Sequence, residues 1–139
     1  MSFTTVTSEA IIRKAGLNVN SAIVASGAAI AKGDVMELSD PMTVSAHGGN
    51  VDTPVVGIAA EEKVAGNTGK LFISVITNCV AKLKVLAGGS CTIGDTVSMG
   101  NAAGEINLAS SLDDEKGWSL GWAMETGAAA EYAAIRINK

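Results

Sequence analysis

Two stretches of this chain lie over one another: GAAIAKGDVMEL at 27–38 and GGSCTIGDTVSM at 88–99. Each runs Gly, a short stretch of mostly small residues, Gly-Asp, then an apolar segment. Gly33-Asp34 is followed 24 residues on by Gly57 in VVGIAAE (55–61), and Gly94-Asp95 is followed 27 residues on by Gly121 in SLGWAME (119–125). Beyond each lies a strand-like run, LFISVIT (71–77) and AAIRIN (133–138). Four features recurring in one order at nearly one spacing predict two related units, spanning 27–77 and 88–138.

Each feature has a physical reading. Gly-Asp between apolar runs suits a tight turn, because Gly takes positive φ and Asp bonds local backbone. VMELS, TVSM and VVGIA read as short strands, and VAKLKVL (80–86) alternates in part. LFISVIT has apolar residues on both sides, which predicts a strand covered on two faces or lying in an interface. Gly57 and Gly121, inside strand patterns, predict bulges or close backbone approach. HGGN (47–50) and AGNTG (65–69) read as loops, and SSLDDEKG (110–117) as a solvated loop or short helical turn. Val, Ile and Thr total 34 against 8 Leu, a bias toward residues that pack on a pleated surface. The expected fold is all-β: a small sandwich or barrel of two related units forming one domain over 27–139. Residues 1–26 precede the first unit. Ser8-x-x-Ile11 lacks a capping box, so an extended arm is expected there, pairing with the body or reaching a neighbour.

At 139 residues the chain can bury about two-thirds of its unfolded surface and needs no metal or disulfide to fold. Apolar residues reach 47%, but 22 are Ala, and charged residues are only 17%, below the usual quarter. Weakly charged outer faces are therefore expected, of the kind that meet another protein. The net charge of −4 with no Lys/Arg cluster argues against a nucleic-acid partner. The apolar run Ala22–Ala31 is too short for a membrane span, and MSFTTVTSEAIIRK does not read as a signal peptide. Cys79 and Cys91, without CxxC or an adjacent His, read as buried free thiols of a protein folded in a reducing cytoplasm.

Catalytic and cofactor signals are thin. The single histidine, His47, stands before Gly48-Gly49 and reads as a surface loop residue, with no GxSxG elbow to serve. Two cysteines and one histidine do not make a zinc set, and Asp113, Asp114 and Glu115 lack the spacing of a calcium loop. HGGN and AGGS are not followed by Gly-Lys-Ser/Thr, so no phosphate loop is indicated. EEKVA (61–65) loosely matches the modified-lysine hairpin of lipoyl carriers, but Lys63 lies 29 residues after Gly33-Asp34, too far for that layout. No enzyme, cofactor or metal is expected. Trp118 and Trp122 read first as core, and otherwise as interface anchors or sugar platforms. Phe3, Ile11 and Ile12 on the arm join them as candidate interface residues.

The pattern carried by Ile30, Gly33, Asp34, Gly57, Ile58, Ala59, Gly94, Asp95, Val97, Gly121, Ala123, Ile135 and Ile137 resembles the capsid cement, or decoration, proteins of tailed phages, some long mislabelled recombinase-like. The resemblance covers about 27–138 and rests on glycine turns and apolar positions. It implies a compact β fold on the outer surface of a virion, commonly a homotrimer, clamping major capsid protein subunits against internal pressure. Residues 1–26 depart from it. The alternatives are a phage tail tube or baseplate subunit and, with less support from four percent aromatics, a carbohydrate-binding module.

Overall fold

The computed structural model describes residues 11–15, 19–40, 42–51, 53–110, 113, 116 and 118–139, with side chains from Ser21 onward. Eleven strands are described: β1 (Ile11–Ala15), β2 (Val19–Val24), β3 (Val35–Asp40), β4 (Thr43–Ala46), β5 (Val55–Ala59), β6 (Phe72–Ile76), β7 (Asn78–Val85), β8 (Thr96–Met99), β9 (Glu105–Leu108), β10 (Gly121–Ala123) and β11 (Tyr132–Asn138). The all-β class expected from the sequence is what the chain adopts.

The strands form two five-stranded barrels. The first closes in the order β2-β4-β3-β5-β6. The second runs β7-β11-β10-β8-β9 and closes through a parallel β7–β9 pairing, with β1 added on the outside of β7. Connectivity repeats: in each barrel the first strand pairs antiparallel with the fifth and parallel with the third. Closure removes most of the edges that open sheets must protect.

The same hydrogen bonds recur in both. Gly33 N–H donates to Ala59 O and Ala59 N–H to Asp34 O; Gly94 N–H donates to Ala123 O and Ala123 N–H to Asp95 O. Ala31 N–H donates to Asp34 Oδ2, and Thr92 N–H to Asp95 Oδ2, each at 2.9 Å. Ile30 exchanges backbone bonds with Lys63 as Cys91 does with Gly127. These matches set Val24 over Val85, Met36 over Val97, Met42 over Gly104 and Ile58 over Trp122.

Residues 1–10 of the expected arm lie outside the described residues, and β1 pairs with β7. The boundary expected after residue 26 is corrected: β2 is a stave of the first barrel, in register with β6 from Val19–Ile76 to Ile23–Phe72. The first unit thus begins at 19, because without β2 the barrel has no strand to join β4 to β6.

The core sits in two clusters. One fills the first barrel, with Val24, Ile30, Met36, Val44, Ala59, Ile73 and Val75. The other fills the second barrel and also takes in Val35, Val55, Ile58 and Ile76 from the first. Strand alternation explains the split: on β5, Ala59 points into its own barrel while Ile58 points out against the second. Two glycines let staves approach closely. A Cβ on Gly57 would overlap Ile76 O, and one on Gly121 would overlap Arg136 O.

Candidate interaction surfaces

The barrels meet around His47, at the end of β4. Its Nδ1 lies 3.0 Å from Gly104 N and its Nε2 lies 3.0 Å from Asn50 O. A backbone N–H can only donate and a carbonyl can only accept, so Nδ1 is the acceptor and Nε2 carries the proton. Glu37 Oε2 lies 4.0 Å from Nε2 and accepts from Thr53 Oγ1 at 2.7 Å. His47 is 4% exposed, not the surface loop residue the sequence indicated. Its flanking glycines make the loop, but the neighbouring barrel covers it. The β8–β9 hairpin supplies the cover: a Cβ on Gly49 would stand 3.0 Å from Asn101 O. Nδ1 thus bonds across the junction to Gly104, and Nε2 ties the ring to its own loop at Asn50.

A cleft of about 610 Å³ opens beside this junction, walled by Ile30, Ala31, Ala46, His47, Lys63 and Gly104 among others. Lys63 is 2% exposed, and its ammonium donates to Ser26 O at 2.7 Å and Ala28 O at 3.1 Å. It bolts the β2–β3 connection to the barrel, and its burial is incompatible with the swinging arm of a lipoyl-type carrier. At the matching place stands Gly127, where a Cβ would meet Ala133 Cβ and Val85 Cγ2 at 3.0 Å. Among the described residues no group of three His, Cys, Asp or Glu is placed to hold a metal.

The other sequence candidates are dispersed. Gly33, Asp34, Gly94 and Asp95 form the paired turns before β3 and β8, with Gly33 at φ 96° and Gly94 at φ 89°. Phe3 lies outside the described residues, and Ile11 and Ile12 are on β1. Trp118 is half-buried, with Lys116 Nζ 4.3 Å from its ring centre. Trp122 is 45% exposed on the outer face of β10, so core packing is not its role. Asp113 is helical and exchanges bonds with Ser110, its Oδ2 accepting from Ser110 N–H and its N–H donating to Ser110 Oγ, as a capping residue does. Cys79 and Cys91 are buried free thiols. Burial pushes Cys79 up to about 11 against the pull of Arg136, and burial raises Cys91 too.

Two exposed apolar patches stand out, of which sequence reasoning named only Trp122, as a candidate interface residue. On the first barrel, Phe72 and Ile23 face each other across β6 and β2, beside Leu71 and the turn residue Met42. The matching row of the second barrel is Tyr132 and Lys84, with Lys84 in a 3.0 Å ion pair to Glu105. One position is thus dressed for solvent in one barrel and left apolar in the other. The second patch is Trp122 with Met124, two residues on. The signal available in the sequence was Trp122 standing where its partner repeat has Ile58.

No family model and no curated protein matches the chain. Among solved structures, the fold is similar to the N base of head fiber gp8.5 in bacteriophage phi29. That match has a TM-score of 0.50 at 12% identity, over 87% of this chain and 93% of that one. At that identity the likeness speaks to the fold alone, a small all-β one.

Proposed function

We propose that this chain is a structural protein of a phage virion, a capsid decoration or cement protein that binds the outer shell across major capsid protein subunits and stabilises it without chemistry of its own. The observation that carries the reading is the likeness of its fold, over 87% of this chain, to the base of a phage head fiber. The surface supports it. Large apolar side chains stand exposed on both barrels, Met42 at 78% and Phe72 at 58% on the first and Trp122 at 45% on the second, in a chain with few charges. Such patches on a small domain mark protein contacts. In this reading the copies act as a homotrimer, and shell symmetry multiplies modest contacts into avidity. No cofactor, nucleic acid or membrane takes part.

The test is co-sedimentation with empty capsids, followed by thermal opening of shells with and without the protein. Saturable binding at a fixed number of copies per shell, with opening at a higher temperature, is expected. Shells that neither bind it nor gain stability would refute the role.

A further inference from the structure

The duplication makes the inter-barrel junction a template. In the first barrel, the outer face carrying Ile58 and Ala60 is covered by the second barrel, and Ile58 is fully buried there. The matching face of the second barrel carries Trp122 and Met124, each nearly half exposed. Ala109 stands where the first barrel has His47: Ala109 N–H donates to Thr96 O as His47 N–H donates to Val35 O. The covered face thus has an uncovered twin that bears larger apolar side chains.

The covering element has a twin as well. The second barrel reaches the first with the hairpin Asn101–Gly104, and Gly104 has φ 71°. The matching hairpin of the first barrel ends in Met42, which holds φ 58°. A side chain there costs about 1–2 kcal/mol that glycine avoids, and Met42 repays none of it by burial. Exposed strain of this kind points to a contact made elsewhere. Charge agrees: exposed Asp40 stands beside the Met42 turn, paired with Thr43, while Arg136 pairs directly with Trp122 on the open face.

We infer that a second copy of this chain docks head to tail, its Met42 hairpin seated beside Ala109 on the Trp122–Met124 face as Gly104 is seated beside His47 within one chain. The contact is heterologous, so it closes into a ring or continues as a filament according to the rotation per step. It stands or falls independently of any capsid.

Sedimentation velocity on the full chain tests it. The wild type is expected to associate as concentration rises. Trp122→Ser and Met42→Asp should each weaken association about 30-fold or more, the scale of an interface hot spot. Both sites are exposed, and Asp tolerates the left-handed turn, so melting temperatures near wild type confirm folding. The decisive experiment mixes the two variants. Trp122→Ser keeps an intact hairpin and Met42→Asp keeps an intact face, so the mixture should form a dimer and stop there. A mixture that remains monomeric, variants that associate like the wild type, or a wild type that stays monomeric would each overturn the assignment. Capsid binding is not a readout here, so failure of the cement role leaves this result untouched.

Discussion

Gly121 offers a sharp test of how the second barrel is closed. It is not a turn glycine: the space its Cβ would occupy holds the Arg136 carbonyl oxygen, and Ile137 Cα lies 3.3 Å away. Those atoms are backbone, so no rotamer change relieves the overlap. In Gly121→Ala, β10 must move off β11, loosening the pairs Gly121–Ile137, Trp122–Arg136 and Ala123–Ile135. Ile135 and Ile137, both fully buried, then lose part of their packing. Overpacking of about 1–3 kcal/mol with lost ladder bonds at about 1 kcal/mol each gives a destabilisation of about 3–5 kcal/mol. Unfolding entropy of about 2.1 cal/mol/K per residue makes about 0.3 kcal/mol/K for this chain, so the midpoint should fall by about 10–17 °C. Gly94→Ala is the control. Gly94 has positive φ but open space around its Cβ position, so it carries only conformational strain, about 1–2 kcal/mol or about 3–7 °C. Thermal melts followed by circular dichroism measure both. A Gly121→Ala midpoint no lower than that of Gly94→Ala would refute the close-approach reasoning.

Other outcomes follow from the same geometry. His47→Ala leaves Gly104 N–H without its acceptor at the junction. Because the adjoining cleft admits water, the loss should sit near the low end for an unsatisfied donor, about 1–2 kcal/mol, read as a lower denaturant midpoint. Met42→Gly installs the residue used by the sister hairpin and should raise the melting temperature by about 2–4 °C, a gain of about 1 kcal/mol. Cys79 and Cys91 should react with a thiol reagent only as fast as the protein opens, so labelling should track unfolding rather than pH near neutrality. For Cys79 the sign is set by a folded value of about 11 above the ordinary 9.0: the neutral thiol's contribution is full below about pH 9 and is lost as pH rises through about 11. Urea melts across that window should show stability falling, and a rise would contradict the buried-thiol assignment.

The sequence by itself determined the parts whose physics is local. Gly33-Asp34 and Gly94-Asp95 make their turns from their own φ angles and side-chain bonds, so the duplicated turns and the strands after them were legible residue by residue. The all-β class followed from the same signals with the β-branched composition. Only the tertiary structure decided what each strand's outer face meets. Ile58 and Trp122 hold the same place in two copies of one barrel, yet one is buried and the other nearly half exposed, because the second barrel packs over Ile58. The local pattern GIA or GWA carries no trace of that. β2 was folded into the expected arm because its partner β6 lies some fifty residues on, beyond any short-range signal. His47 read as a loop residue for the same reason: its loop is local, but the hairpin that buries it is brought in by the fold, 57 residues away along the chain.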